Sequence, residues 1–273
     1  YLKDIVKDAG IEDMVTVGEM SSTSLQNCIR YSAPEENEFS MCFNFHHLKV
    51  DYKCGDKWAL QPVPYGKLKE LFAEWQMGMQ EGGGWNALFW CNHDQPRVVS
   101  RLGSDLLENR ERSAKMLAVC LHMMQGTPYV YQGEELGMTN CPFPELKDFR
   151  DIESINAFNE LTGAGKTAPE DMMRYLLLRS RDNARTPMQW DDESAGAGFT
   201  SGEPWIMVNP NYKEINARRE LADPDSVFRY YQKLIALRKK ERVMVYGSYE
   251  LLEPEDENLY VYTRTLREEG REG

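Results

Sequence analysis

The sequence predicts an α/β fold with a parallel sheet, and the pattern along its 273 residues supports this in two ways. Short runs rich in β-branched and aromatic residues alternate with segments in which apolar residues recur at helical spacing. Such alternation is typical of βα units, in which a helix crosses back over the sheet after each strand. A closed barrel and an open sheet are both compatible with the pattern. The strand-like runs are MVTVGEM (14–20), SMCFNFHH (40–47), GGGWNALFWCNHD (82–94) and GTPYVYQGEELG (126–137).

The helical segments follow these runs in order along the chain. Candidate N-caps at 21–23 precede a first helix that we expect to end near Tyr31. The segment 67–80 carries its apolar residues on one face, which predicts an amphipathic helix packed on the sheet. Two further predicted helices cover 113–125 and 226–241.

Two other segments differ from this pattern. Residues 138–225 are rich in Gly, Pro and Asp, which predicts a long irregular insertion. Residues 247–266 predict two antiparallel strands around an acidic turn.

Composition and charge exclude several classes of protein. The 44 acidic and 32 basic residues give a formal charge of −12, which repels nucleic acids and anionic membranes. The apolar stretch 116–124 is too short to cross a bilayer, so we expect no membrane association. The six cysteines are widely spaced and form no C-x-x-C pair, which favours reduced thiols and a cytoplasmic location.

Polar side chains collect where the predicted strands end. Functional groups in parallel α/β proteins gather at the carboxyl edge of the sheet, so these side chains indicate an active site there. A single carboxylate at a strand end is more often a cap or half of an ion pair, but four successive strand ends favour function. The residues are Glu19, His46, His47, Asn92, His93, Asp94, Gln132, Glu134 and Glu135.

A Glu and an Asp at neighbouring strand ends suggest glycoside hydrolysis. One carboxylic acid protonates the leaving oxygen, while other carboxylates stabilise or trap the cationic sugar. His93 and Arg97 are candidate hydrogen-bond donors to sugar hydroxyls or to a carboxylate. A metal site is disfavoured, because His46 and His47 would point to opposite faces of one strand. The chemistry requires no cofactor, and the expected partner is a small carbohydrate.

Three segments resemble conserved regions of the α-amylase-type glycoside hydrolases. FWCNHDQPRVVSR (89–101) and VGEMSSTS (17–24) look like two of the family's active-site regions. RDNARTPMQWDD (181–192) resembles a segment of the branch that contains oligo-1,6-glucosidases and phospho-α-glucosidases. More narrowly, GEMSSTSLQNCIRYS (18–32), FSMCFNFHHLKVDY (39–52) and GGGWNALFWCNHDQPRVVSR (82–101) together are most similar to the phospho-α-glucosidases that act on trehalose 6-phosphate.

The resemblance implies roles for individual residues. Glu19 would be the general acid/base, Asp94 would hold sugar hydroxyls and stabilise the transition state, and His93 would bind the same sugar. The family's nucleophile is an aspartate in a GFRxD motif, which this sequence lacks; GFTSG (198–202) has no aspartate. We therefore expect the polypeptide to be inactive alone.

The same resemblance implies a domain organisation. Residues 1–242 would form strands 5 to 8 of a (β/α)8 TIM barrel, the C-terminal half, with the insertion at about 138–225. Residues 243–273 would begin a C-terminal antiparallel β-sandwich domain.

The substrate prediction depends on two lysines near the second strand. Lys49 and Lys57 flank a turn at 54–56 and could together bind one phosphate, although most lysines are simply solvated. His46 and Arg181 are further candidate substrate-binding residues, and Arg181 could equally belong to a network that holds the insertion in place. Two alternatives remain open: an α-glucosidase of the oligo-1,6-glucosidase type that acts on neutral sugars, and a non-catalytic relative that serves as an interaction module.

Overall fold

The computed structural model of the protein describes residues 2–11, 13–36 and 38–267. Four parallel strands form one sheet in the order β1-β2-β3-β4, with β1 Val17–Met20, β2 Met41–Asn44, β3 Asn86–Leu88 and β4 Thr127–Pro128. The register pairs Glu19 of β1 with Phe43 of β2. Since all pairs are parallel, the carboxyl ends of the four strands meet at one edge of the sheet.

Helices connect and surround these strands. The predicted alternation of strand and helix is confirmed. In chain order the helices are α1 Leu2–Asp8, α2 Leu25–Ser32, α3 Tyr65–Glu81, α4 Val98–Leu102, α5 Leu107–His122, α6 Ile152–Gly163, α7 Pro169–Arg179, α8 Asp182–Arg185, α9 Ala217–Ala222, α10 Val227–Lys240 and α11 Arg242–Tyr246.

The strands are shorter than their β-forming runs. Asn92 shows one reason, because its Oδ1 accepts from the backbone N–H of Asp94 at 2.8 Å and turns the chain away from the sheet. His46 and His47 also leave the second strand, since they lie in a 3₁₀ turn, His46–Lys49. The prediction that they lie on one strand was therefore wrong. The cap of α2 is Ser24, one residue beyond the predicted 21–23, and its Oγ accepts from the N–H of Asn27 at 3.3 Å.

The central core lies between the sheet and three helices. Apolar side chains of α3, α5 and α10 pack against the end of β3 and the residues that follow it, and Trp90 donates its indole N–H to the Leu117 carbonyl at 2.8 Å. Trp90 is thus a core residue with a satisfied polar atom.

The segment 138–225 is only partly irregular, which corrects the prediction from its composition. It contains α6 to α9 and has a hydrophobic core of its own, formed by Cys141, Phe143, Phe149, Met172, Leu176 and Ile206. Start signals for two of these helices are present in the sequence. Asp151 caps α6 through its carboxylate, and Pro169 occupies the first turn of α7. Gly and Pro therefore separate short helices here instead of excluding them.

The predicted hairpin is confirmed. Strands β5 Ser248–Leu252 and β6 Val261–Thr265 pair in antiparallel fashion. Lys69 of α3 is buried, and its Nζ donates to the carbonyls of Glu253 and Leu259 at 3.2 and 2.9 Å, which fastens the hairpin to the helix. Residues 268–273 of the predicted C-terminal domain lie outside the described residues.

Two predictions about the class of protein can be compared with the structure. Over residues 2–11, 13–36 and 38–267, no helix combines the length and apolar character needed to cross a bilayer. All six cysteines are free thiols.

Candidate active site

Glu19 lies at the carboxyl edge of the sheet, beside a cleft of about 210 Å³. The strand β1 presents this carboxylate exposed at the rim, where a general acid can reach a substrate. Asn92 and His93 line the same cleft from the loop after β3. The parallel register thus brings together two segments that are more than 70 residues apart in sequence.

Aromatic side chains from three strand ends form the floor of the cleft. Phe43 packs edge-on against Phe89 and Tyr129, with ring centroids 5.0 and 4.7 Å apart. Phe45 lies against Phe89 at 5.1 Å. An aromatic floor offers apolar surface to a sugar ring.

Asp94 is held in place by its own loop and by two arginines from the 138–225 segment. Arg185 of α8 donates from Nη2 to Asp94 Oδ1 at 2.7 Å and from Nε to the His93 carbonyl at 2.8 Å. Arg181 contacts the same Asp94 oxygen from Nη1 at 3.4 Å. His93 Nε2 lies 3.6 Å from the other carboxylate oxygen. The loop therefore presents one carboxylate surrounded by donors.

These charges decide the ionisation of Asp94. Partial burial would by itself raise the pKa of this carboxyl, but His93, Arg185 and Arg181 outweigh burial and lower the pKa below its ordinary value. Asp94 is therefore an ionised acceptor, which suits a group that holds sugar hydroxyls and stabilises positive charge.

The arginine pair extends into a larger ion network that includes Lys57. Arg181 Nε donates to Glu153 Oε2 at 2.8 Å and lies 3.5 Å from Asp151 Oδ2. Arg185 Nη1 lies 3.7 Å from the other oxygen of Asp151. Glu153 Oε2 also accepts from Lys57 Nζ at 2.5 Å. The structure thus brings the predicted residues Lys57, Arg181 and Asp94 into one cluster.

Lys49 and His46 lie apart from that cluster. Lys49 Nζ donates to the Ser21 carbonyl at 2.9 Å and to Ser22 Oγ at 3.3 Å, in the loop after β1. His46 Nε2 is 2.9 Å from the Thr23 carbonyl, and its ring lies against Trp75. Both side chains connect the end of β2 to the loop that follows Glu19.

Arg97 lies in the protein interior, which corrects its prediction as a donor to substrate. Its side chain is buried. All three guanidinium nitrogens donate to backbone carbonyls, those of Asn183 at 3.2 Å, Gln132 at 2.6 Å and Ala184 at 3.4 Å. Arg97 therefore connects the loop after β3 to α8, and the positions of Arg181 and Arg185 depend on these hydrogen bonds.

Glu134, which follows the fourth strand, is a buried carboxyl beneath the site. Tyr231 of α10 donates its hydroxyl to Glu134 Oε1 at 3.0 Å, while Oε2 has no hydrogen-bond partner among the described residues. Burial disfavours the ionised form and raises the pKa of Glu134 from 4.5 to about 7.

Glu134→Gln should remove the contribution of the Glu134 carboxyl to the pH dependence of the unfolding free energy. The folded protein favours the protonated acid, so this group's contribution is complete below pH 4.5 and is lost as the pH rises through about 7. The amide mimics the protonated form, so at pH 8 the variant should be more stable than the wild type, by up to about 3 kcal/mol. Urea unfolding at pH 5 and pH 8 measures this. Glu160 is exposed on α6, so Glu160→Gln should show the same difference in unfolding free energy between pH 5 and pH 8 as the wild type. The prediction would be contradicted if the unfolding free energies of Glu134→Gln and the wild type changed with pH in parallel.

Several residues of the site lie outside the sequence predictions. Phe43 could have been found from the two-residue period of β2, which points alternate residues to one face, and Phe45 follows two residues later, just after the strand ends. Asp151 predicts only the start of a helix, and neither Asp151 nor Glu153 had a signal for a site, because both lie in a segment predicted to be irregular. No group of three or more His, Cys, Asp or Glu side chains in the part of the chain that the structure describes could hold a metal ion.

Comparisons with known proteins agree with this architecture. The model of the α-amylase catalytic domain family matches residues 2–247. Trehalose-6-phosphate hydrolase of Bacillus subtilis is 56% identical over 252 residues, which is 92% of this chain and 44% of that protein. Oligo-1,6-glucosidase of Parageobacillus thermoglucosidasius is 51% identical over 257 residues, 94% of this chain and 45% of that protein.

A solved structure gives the same result for the fold. The crystal structure of Bacillus licheniformis trehalose-6-phosphate hydrolase superposes with a TM-score of 0.92 at 53% identity, covering 97% of this chain and 48% of that one. The chain therefore spans about half the length of the relatives that it matches. The resemblance predicted from the sequence is confirmed: the chain belongs to the α-amylase family of glycoside hydrolases and has the fold of its TIM-barrel-type catalytic domain, with a small antiparallel sheet.

Proposed function

We propose that this chain supplies the acid/base half of a retaining α-glucosidase that hydrolyses trehalose 6-phosphate to glucose and glucose 6-phosphate. The observation that carries the proposal is the cleft at the carboxyl edge of the sheet, which has an aromatic floor and is lined by Glu19 and by Asn92 and His93, the two residues before Asp94. Similarity to trehalose-6-phosphate hydrolases supports the substrate.

Each carboxylate has a distinct task in this mechanism. As the general acid, Glu19 gives its proton to the glycosidic oxygen while the bond to the leaving sugar breaks and the nucleophile bonds to the remaining sugar. As the general base, it then takes a proton from the water that breaks this second bond and releases the remaining sugar. Asp94 stays ionised, binds hydroxyls of the reacting sugar and stabilises its positive charge. His93, with most of its side chain exposed, would donate to the same sugar.

The nucleophile of this mechanism would come from outside the 273 residues, which contain no GFRxD motif. Within the described residues, β1 and β4 each pair on one side only, so both edges of the sheet can accept further strands. We assign β1 to β4 as strands 5 to 8 of the barrel, and the hairpin β5–β6 as the start of a C-terminal β domain. In this proposal the polypeptide alone is inactive.

The neutral-substrate alternative has specific support. Oligo-1,6-glucosidases are only slightly less similar than the phosphate-specific relatives. Lys49 and Lys57 also have different hydrogen-bond partners, so the structure does not pair their ammonium groups. The proposal therefore depends on Lys57 and the arginine cluster more than on Lys49.

The ratio of kcat/KM for trehalose 6-phosphate to that for isomaltose tests the substrate, with the chain joined to the complementary half of the barrel. We expect a preference for the phosphorylated sugar of about tenfold or more, the value of one good charge-assisted contact. A preference for isomaltose would establish an oligo-1,6-glucosidase. Absence of turnover on both sugars would favour the non-catalytic relative.

A further inference from the structure

We propose that Glu153 is an internal carboxylate that occupies the phosphate-binding position between Lys57 and Arg181, and that the phosphate of a sugar phosphate displaces it. The inference rests on the proposed function, because it names the groups that would make the site specific for a phosphorylated sugar. Glu153 would act as a specificity residue, since it competes with the substrate for the two cations.

The contacts of one oxygen atom carry this proposal. Glu153 Oε2 accepts from Lys57 Nζ at 2.5 Å and from Arg181 Nε at 2.8 Å. A single anionic oxygen that bridges an ammonium and a guanidinium makes the same contacts as a phosphate oxygen bound by two cations. The cations therefore already converge on one point, and that point is filled by a carboxylate.

The environment makes the exchange possible. The Glu153 side chain is 36% exposed, so it can swing into solvent without leaving a buried charge. Lys57 is only 17% exposed, and its Nζ lies over the Trp58 ring at 4.8 Å, which keeps the ammonium in place when its partner leaves. The cations are thus more firmly positioned than the anion between them.

The position also fits the proposed substrate. The guanidinium of Arg181 that contacts Glu153 through Nε contacts Asp94 through Nη1 at 3.4 Å. Because Asp94 is proposed to hold sugar hydroxyls, an anion bound between Lys57 and Arg181 lies one side chain away from the sugar. A phosphate on the same disaccharide can therefore reach the position between Lys57 and Arg181.

The charge of the cluster explains why the site would prefer a dianion. Its three cations are Lys57, Arg181 and Arg185, and its three carboxylates are Asp94, Asp151 and Glu153. The cluster is neutral with Glu153 in place and carries one net positive charge when Glu153 swings out. A phosphate, with a charge of about −2, has a more favourable electrostatic interaction with the two cations than the carboxylate that it displaces.

Glu153→Gln tests the proposal, because removing the competitor should strengthen phosphate binding. The purified polypeptide would be titrated with glucose 6-phosphate and with glucose, and the dissociation constants measured from NMR shifts of the Lys57 and Arg181 side-chain nitrogens. We expect Glu153→Gln to bind glucose 6-phosphate about three- to tenfold more tightly than the wild type. Its affinity for glucose should not change.

Two variants separate this effect from general electrostatics and from misfolding. Glu160→Gln makes the same change of net charge on an exposed position of the same helix, and should leave both dissociation constants unchanged. Lys57→Met removes one of the two cations, and should weaken glucose 6-phosphate binding by about tenfold.

The proposal is overturned if Glu153→Gln and Glu160→Gln bind glucose 6-phosphate equally well, or if no variant binds it at millimolar concentrations. The titrations require no turnover, so they are independent of the test of function. If the completed enzyme prefers isomaltose while Glu153→Gln still tightens phosphate binding, the proposed function fails and the anion site stands. If the completed enzyme prefers trehalose 6-phosphate and Glu153→Gln has no effect, only the role of Glu153 fails.

Discussion

Asp51→Ala is expected to lower the free energy of unfolding by about 3–5 kcal/mol. Asp51 is buried between two arginines that are also buried, with side-chain exposures of 1% for Asp51, 5% for Arg101 and 7% for Arg179. Arg101 donates to both carboxylate oxygens, at 2.7 and 3.0 Å, and Arg179 donates from Nη1 to one of them. Alanine would leave two guanidinium groups in the interior without an anion.

The position of this triad explains why the effect should be large. Asp51 follows β2, Arg101 lies in α4 and Arg179 ends α7, so the triad joins the segments that follow β2 and β3 to the 138–225 segment. Burial would raise the pKa of Asp51, but the two arginines outweigh it and lower the pKa below 3.8. The stabilisation is therefore complete above pH 3.8 and is lost as the pH falls through the lowered pKa.

Urea unfolding at neutral pH measures this prediction. Asp105→Ala, which removes the same charge from an exposed position, should change stability by less than about 0.5 kcal/mol. Replacing Asp51, Arg101 and Arg179 together by apolar residues of similar size should cost much less than Asp51→Ala, since no charge is then left unpaired. A loss below about 1 kcal/mol for Asp51→Ala would show that water reaches the arginines and satisfies them.

Glu19→Gln is expected to reduce kcat for trehalose 6-phosphate by about 10²- to 10⁴-fold in the chain joined to its complementary half. The amide keeps the shape of the acid but cannot protonate the glycosidic oxygen. Steady-state kinetics measures the loss. The 273-residue polypeptide without the complementary half should show no saturable turnover.

The leaving group provides a control for this role. The p-nitrophenolate group of a p-nitrophenyl α-glucoside leaves without needing much protonation. Glu19→Gln should therefore slow formation of the glycosyl-enzyme from this substrate far less than from trehalose 6-phosphate. Asp94→Asn should slow both substrates alike, because Asp94 acts on the sugar that both share. Saturable turnover by the isolated polypeptide that Glu19→Gln abolishes would refute the assignment of a missing nucleophile.

The sequence predicted the parallel α/β arrangement for a physical reason. Short β-forming runs alternate with amphipathic segments, and local propensity and burial agree in those stretches. The carboxyl-edge rule then placed Glu19 and Asp94 at the same edge, because parallel strands all end there. The hairpin at 248–265 was predicted for a similar reason, since its strands and turn are adjacent in sequence.

The 138–225 segment could not be predicted in this way. Its helices are short and separated by Gly and Pro, so the composition of the whole stretch hides the periodicity of α6 and α7. Their stability comes from a local core that includes Phe143, Phe149 and Leu176, which only packing brings together. The arginines that hold Asp94 belong to this segment, so its fold decides the electrostatics of the site.

The sequence by itself determined which residues are candidates for the chemistry, because residue type and strand-end position are local properties. Tertiary structure alone decided their partners. Arg97 is next to the site in sequence, but its guanidinium donates to backbone carbonyls in the interior. Glu153 is 59 positions from Asp94 in sequence, but it belongs to the ion network of Asp94. Charges act over a few ångströms of space whatever their separation along the chain, and only the folded arrangement of distant segments fixes those distances.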